Sequence, residues 1–156
     1  MATMTSALCN SYKQEILQGV HEAADVYKFV LIKNAGTGTY GASTTNAGTP
    51  GSGAPTAANV GTDEVATSGT YTAGGTTLAG FSATLQGSTA VLDFTAPAAF
   101  TSATISSDGL LIYNSSQSNK AVAVYAFAGA PITSTNGTFT ITMPAVGSGT
   151  SMIRIV

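Results

Sequence analysis

Residues able to carry out chemistry are scarce in this sequence. It contains one cysteine, Cys9, one histidine, His21, and no tryptophan. A single cysteine excludes a disulfide within the chain, and a single histidine excludes a metal site built from two imidazoles of one chain. We therefore expect Cys9 to act as a small apolar side chain and His21 to be solvated just past a helix. A metal site that joins His21 to Glu22 and Asp25 is the alternative.

Charged residues are equally few. The 156 residues include five Lys or Arg and seven Asp or Glu, which is 8% of the chain and leaves a net charge of −2. A typical soluble domain carries about 25% charged residues. Five scattered basic residues form no phosphate-binding patch, so we expect no nucleic acid partner. A surface of hydroxyl, amide and small apolar groups costs little to dehydrate, which favours a protein that works in contact with other proteins. A weakly charged monomer is the alternative.

The sequence also lacks targeting and membrane segments. The N-terminal residues have neither the basic start nor the apolar stretch of a secretory signal, and no run of about 18 apolar residues could span a bilayer. We expect a protein that is made in a cytoplasm and has no membrane partner.

The N-terminal region carries the one convincing helical pattern. Four large apolar residues recur at four-residue spacing: Leu8, Tyr12, Ile16 and Val20. This spacing predicts an amphipathic α-helix over about residues 5–20, which Ser6 could cap. The following segment VYKFVLIK, residues 26–33, is rich in β-branched and aromatic residues and predicts a buried strand.

Apart from Tyr40 and Val60, residues 34–61 consist of Gly, Ala, Thr, Asn, Ser and Pro in no regular period. A long stretch without periodicity is typical of a functional loop, an arm or a segment that orders on binding. We predict a long, extended surface loop that reaches a neighbouring molecule, as the N-terminal helix could also do.

From Thr76 onward, short apolar segments alternate with turn residues, roughly every eight to twelve residues. The predicted strands lie in TTLAGFSATLQ, STAVLDF, TSATIS, LLIYN, KAVAVYAF, PITST, TFTITM and SMIRIV, with a connection at 95–100. We expect Asp108-Gly109 to form a turn and Asn136-Gly137 to form a type I′ hairpin. The pattern predicts an all-β fold, an antiparallel β-sandwich or jelly roll at 76–156, within a single domain of residues 1–156.

Four carboxylates outside the helix and its exit could supply an acid/base pair for glycoside hydrolysis: Asp63, Glu64, Asp93 and Asp108. Asp63 and Glu64 are adjacent, so in an extended strand they would face opposite sides. Gly74 and Gly75 lack the lysine and the following helix of a phosphate-binding loop and indicate a turn or bulge. We expect no catalytic, cofactor-binding or metal-binding residue, no cofactor and no enzymatic activity. A glycan-active enzyme is the alternative.

Several stretches, taken in order, resemble a family of small structural proteins from the virions of tailed bacteriophages. They are NSYKQEILQGVH at 10–21, YKFVLI at 27–32, DEVATSGTYTAGG at 63–75, LLIYNSSQSNKAVAV at 110–124, NGTFTITMPA at 136–145 and the terminal IRIV. The long insertion at 34–61 departs from the family pattern.

The resemblance implies a non-enzymatic virion component, above all a capsid decoration or cement protein. Such a protein would bind the major capsid protein on the outer surface of the phage head as a homo-oligomer, a trimer or a dimer. The resemblance transfers no site residues to this chain. A tail, neck or fibre component, including a receptor- or glycan-binding β-sandwich, is the alternative, although the absence of tryptophan removes the best sugar-stacking side chain.

Overall fold

The computed structural model describes residues 2–97 and 99–156. Met1, and Ala98 in the predicted connection at 95–100, lie outside the described residues. The helix is α1 (Asn10–Leu17), and the strands are β1 (Thr3–Met4), β2 (Ala7–Leu8), β3 (Tyr27–Lys33), β4 (Thr39–Tyr40), β5 (Thr76–Thr77), β6 (Ala79–Gln86), β7 (Thr89–Thr95), β8 (Phe100–Asn114), β9 (Lys120–Ala126), β10 (Ile132–Phe139) and β11 (Ile153–Ile155).

The strands form three sheets. The largest runs in the order β2-β9-β8-β3-β5, with β10 also paired to β8, and the second runs β11-β7-β6. Both are antiparallel, whereas β1 and β4 form a short parallel pair. The prediction of a mostly β protein with antiparallel sheets and one α-helix is confirmed for the described residues.

The two antiparallel sheets contact each other through aromatic side chains. The Tyr27 ring of β3 lies with its centroid 5.2 Å from that of Phe81 on β6 and 5.3 Å from that of Phe94 on β7. Phe81 and Phe94 also meet edge to face at 5.7 Å. Aromatic pairs at these separations add favourable quadrupole interactions to the burial of apolar area.

Strand β8 runs through the position where Asp108-Gly109 was predicted to turn, so that prediction is wrong. Gly109 pairs with Ile32 on one side and with Ala126 on the other, which keeps the strand extended. Gly109 instead allows β9 and the Met4 side chain to pack closely against β8. A Cβ atom at this position would lie 2.7 Å from the Met4 methyl carbon and closer still to a backbone oxygen of β9.

The predicted hairpin at Asn136-Gly137 is also wrong. Both residues lie within β10, which pairs with the first half of β8 from Ile132 to Phe139. The register shifts between Ser134 and Gly137, and Asn136 has a φ of 47°. The positive φ that favours Asn in hairpins is therefore used in a β-bulge.

The helix is shorter than the predicted span of 5–20. Residues 3–4 and 7–8 are extended, and the N-cap position is Cys9. Ser6 does not cap the helix, because its hydroxyl accepts the backbone N–H of Ala126 at 3.0 Å. Pairing of the N-terminal residues with β9 therefore replaces the first turns of the predicted helix. The first strand, predicted at 26–33, is confirmed as β3. Within the described residues, no helix has the length and apolar character needed to cross a membrane.

The segment 34–61 contains little regular structure, as predicted, but it is not extended over the surface. Tyr40, Ala47 and Val60 are fully buried in the core. The N–H of Ala47 donates to the carbonyl of Asn119 at 2.8 Å, and the N–H of Val60 donates to the carbonyl of Ala47 at 2.8 Å. The segment thus belongs to the core of this chain.

Candidate functional site

Asp63 is a buried anchor for the start of the long loop. One of its oxygens, Oδ2, accepts the N–H of Gly38 at 2.7 Å and the hydroxyl of Tyr40 at 2.9 Å, and the N–H of Thr37 lies 2.9 to 3.0 Å from both carboxylate oxygens. The loop must approach the carboxylate closely: a Cβ atom on Gly36 would lie 2.8 Å from Oδ2. The donors of this loop fully occupy the carboxylate of Asp63.

Glu64 points the other way and holds the next loop. Its Oε1 accepts the Tyr71 hydroxyl at 3.0 Å and the N–H of Gly74 at 2.8 Å. Its Oε2 is buried and has no hydrogen-bond partner among the described residues. Burial therefore raises the pKa of Glu64, although the hydrogen bonds from Gly74 and Tyr71 oppose the shift.

The glycines at 74 and 75 form a turn closed by these contacts. Both have positive φ angles, 101° and 90°. The carbonyl of Gly74 accepts the hydroxyl of Tyr113 at 3.0 Å, so the segment is tied to β8 as well as to Glu64. The predicted turn at these glycines is confirmed.

The other two carboxylates are buried on separate strands. Asp93 accepts the N–H of Met152 at 3.0 Å, which ties β7 to the segment leading into β11. Asp108 is buried, and neither of its oxygens has a hydrogen-bond partner in the described part of the chain. Burial raises its pKa. Asp63, Glu64 and Asp93 thus bind different elements and share no hydrogen-bond partner.

His21 is not solvated, so that prediction is wrong. Its side chain is 2% exposed. Nε2 lies 2.8 Å from Oε2 of Glu15, and Nδ1 lies 3.0 Å from the amide nitrogen of Asn114. Because that amide nitrogen can only donate, Nδ1 must accept, which places the ring proton on Nε2 facing Glu15. The Tyr12 ring packs against the imidazole at 4.6 Å.

His21 belongs to a continuous polar chain that we call the latch, defined by Lys120, Glu15, His21, Asn114 and Asp25. Lys120 donates to Oε1 of Glu15 at 2.6 Å, and the amide of Asn114 donates to Asp25 at 2.7 Å as well as to His21. The latch fastens α1 and its exit to the ends of β8 and β9.

The hydrogen bonds of the latch favour the charged forms of its carboxylates. Burial opposes ionisation of Glu15, but hydrogen bonds from Lys120 and His21 outweigh it and lower the pKa. For Asp25, hydrogen bonds from Asn114 and from the N–H of Glu22 likewise outweigh burial and lower the pKa. Among the described residues, no group of three His, Cys, Asp or Glu side chains could hold a metal ion.

Cys9 packs in the core, as predicted. Its sulfur lies 3.9 Å from the carbonyl oxygen of Gly41. Burial raises its pKa to about 12, with a further contribution from the negative charge of Glu15. A thiol with such a pKa is almost entirely protonated at neutral pH and is a poor nucleophile.

The apolar cleft next to His21 is small. It has a volume of about 210 Å³ and lies between α1 and the sheet of β6, β7 and β11, with Tyr12, His21 and Tyr27 in its walls. Ligand pockets usually exceed about 300 Å³. Both imidazole nitrogens are already hydrogen-bonded, so the cleft offers a ligand no free polar group from His21.

A second apolar feature faces solvent. We call it the helix-end patch and define it by Leu8, Ile16, Leu17 and Ile155, which together line a depression of about 360 Å³ flanked by Lys13 and Arg154. Leu17 is 89% exposed and Ile155 is 48% exposed. Leu17 directly follows Ile16 of the apolar helical series, but the sequence gave no sign that β11 would lie alongside these two residues.

Strand β6 lies in a long stretch of sequence without charged residues. From Val65 to Leu92 the sequence contains no Asp, Glu, Lys or Arg. In this span β6 is mostly exposed, and in the described part of the chain it pairs only with β7.

Comparisons of the chain with family models, curated proteins and solved structures gave no match.

Proposed function

We propose that this chain is a non-enzymatic structural protein of a tailed-bacteriophage virion, specifically a capsid decoration or cement protein. It binds the major capsid protein on the outer surface of the head and stabilises the shell. The proposal rests on the ordered stretches that resemble the phage family, from 10–21 to the terminal IRIV.

The helix-end patch is the observation that carries the proposal. Large exposed aliphatic side chains that meet at one place mark a surface that is covered by another protein. The patch lies on a chain with 8% charged residues, so little charge must be removed from water when a partner covers it. Lys13 and Arg154 at its rim favour a partner surface with acidic groups around an apolar centre.

The buried carboxylates support a structural role. Asp63, Glu64 and Asp93 each accept hydrogen bonds from backbone N–H groups of loops or strand ends. Such carboxylates fix loop geometry, because each holds backbone donors of a different segment. For the architecture we propose a β-sandwich rather than a jelly roll, because two antiparallel sheets face each other through Tyr27, Phe81 and Phe94.

Binding to undecorated capsids of the source phage tests the proposal. We expect the chain to co-sediment with these capsids and Leu17→Gln to weaken binding about tenfold, which corresponds to about 1.4 kcal/mol. Gln keeps a good helix propensity but removes the aliphatic surface. The matched control is Ile132→Thr on β10, which also removes one exposed aliphatic side chain.

Electron cryo-microscopy of virions then locates the chain. Density on the outer face of the head, lost when the gene is deleted, is the expected result. Density on the tail, neck or fibres would replace the proposal by its alternative. Equal capsid binding by wild type and Leu17→Gln would leave the helix-end patch without this role.

A further inference from the structure

The free edge of β6 is a hydrogen-bonding surface. Gln86 and Thr89 are the closing pair of a hairpin with the two-residue connection 87–88. In such a hairpin the closing pair is hydrogen-bonded, and alternate pairs along the ladder follow it. Thr84 therefore bonds to β7, whereas Ala83 and Leu85 direct their backbone N–H and C=O groups outward.

The usual protections of an edge strand are weak here. Natural edge strands are blocked by lysine, proline, bulges or a covering element. The stretch from Ser82 to Gln86 contains no charge and no proline, and its register with β7 is regular. The one irregularity lies between Ala79 and Ser82, where Gly80 has a φ of 67°. The bulge therefore protects only the beginning of the strand.

We propose that β6 pairs with β6 of a second copy of this chain, antiparallel and about a two-fold axis at Thr84. The two outward-facing residues Ala83 and Leu85 of one copy then exchange backbone hydrogen bonds with Leu85 and Ala83 of the other. This joins the two three-stranded sheets into one sheet of six strands. The pairing is independent of the virion assignment.

The side chains of β6 are complementary to themselves in this register. Thr84 faces Thr84 of the second copy, and Ser82 faces Gln86, so hydroxyl and amide groups meet on one face. On the other face Leu85 lies opposite Ala83, a large side chain beside a small one. Leu85 is 69% exposed in the single chain, and the pairing covers it.

Electrostatics favours a second copy over a charged partner. Identical surfaces repel when they carry net charge, but the span from Val65 to Leu92 has none. Arg154 lies on β11, which is separated from β6 by the whole of β7. Asp93, opposite Ser82 on β7, is buried and accepts the N–H of Met152. Neither charged residue of this sheet therefore lies on the edge strand that the two copies would share.

Sedimentation of the full chain over a range of concentrations tests the pairing. We expect wild type to change from monomer to dimer as concentration rises. Thr84→Lys and Thr84→Glu place like charges face to face on the axis, so each alone should be monomeric where wild type is dimeric. An equal mixture of the two should recover a dimer, because opposite charges then meet.

Two further variants keep the test decisive. Ala83→Pro removes an outward N–H without touching the bonds to β7, so it should abolish dimers while the melting temperature stays close to that of wild type. Thr133→Lys adds the same charge as Thr84→Lys to an exposed position on β10, a strand of the larger sheet that pairs only with β8 in the described part of the chain, and should leave dimers unchanged. A wild-type chain that is monomeric at every concentration would overturn the proposal. So would an oligomer that survives Ala83→Pro and both Thr84 variants.

Discussion

Glu64 is a buried carboxylate whose second oxygen has no hydrogen-bond partner among the described residues. Its pKa in the folded protein is raised above the ordinary 4.5. A folded state that holds its proton more tightly than the unfolded state loses stability as pH rises from 4.5 through the raised pKa. At neutral pH the charged side chain of Glu64 therefore lowers the free energy of unfolding.

We expect Glu64→Gln to reduce this dependence on pH. The amide oxygen still accepts from Tyr71 and Gly74, and no charge is buried. Melting temperatures measured from pH 4.5 upward should fall less steeply for this variant than for wild type. Glu22→Gln, at an exposed carboxylate, controls for the loss of one negative charge. Parallel curves for wild type and Glu64→Gln would contradict the assignment of the slope to Glu64.

The surroundings of the buried residues in the candidate site depend on contacts between distant parts of the chain more than on local sequence. Asp63 and Glu64 have different partners, but not because an extended strand alternates its side chains as the prediction assumed: Asp63 ends a short 3₁₀ turn, Gly61–Asp63, and only Glu64 is extended. The burial of His21 does not follow from local sequence, because its partner Asn114 lies 93 residues away. Only the pairing of β3 with β8 brings the end of β8 to the exit of α1.

At the scale of elements, Asp63 decides whether the segment 34–61 is held against the core. We expect Asp63→Ala to lower the free energy of unfolding by about 3 kcal/mol, because it leaves the buried Tyr40 hydroxyl and two partly buried backbone N–H groups without their acceptor. Limited proteolysis should then cut within 34–61 faster than in wild type. Asp63→Asn retains one acceptor oxygen and should fall between the two. Cleavage at the wild-type rate in Asp63→Ala would show that other contacts hold the loop.

The strands were predictable because apolar and β-branched residues recur at short intervals. β3, β6, β7 and β9 lie close to where the pattern placed them. The turns at 108–109 and 136–137 failed because Asp-Gly and Asn-Gly are local signals. At both positions, pairing between distant strands extends the backbone, with Gly109 at a close approach and Asn136 in a bulge.

At the scale of the whole molecule, buried carboxylates of two kinds set the response to pH. Glu64 and Asp108 have raised pKa values, so their contributions decline as pH rises above their ordinary values of 4.5 and 3.8. Glu15 and Asp25 have lowered pKa values, so their contributions are lost as pH falls below the same values. The stability of the protein therefore declines both above and below these ordinary pKa values.

We therefore expect the melting temperature to pass through a maximum in mild acid, near pH 4 to 5 by these ordinary values. Lys120→Met should make the fall of the melting temperature toward low pH shallower and leave the fall toward neutral pH unchanged. The reason is that it removes a hydrogen bond that favours charged Glu15. Differential scanning calorimetry from strong acid to neutral pH measures both limbs. A melting temperature that rises steadily up to neutral pH would contradict the balance.

The 15-residue strand β8 also determines the order in which the chain can fold. Tyr27 of β3 pairs with Asn114 at the end of β8, so the edge of β3 that pairs along its whole length with β8 has no complete partner until almost three-quarters of the chain has been synthesised. Its other edge pairs with β5 at Lys28 and Phe29. Contacts over such sequence separations must first close long loops, which slows folding. During translation the apolar run at 29–32 of β3 therefore remains without β8 on the nascent chain. Its protection at that stage is a task for the ribosome and its chaperones rather than for the fold itself.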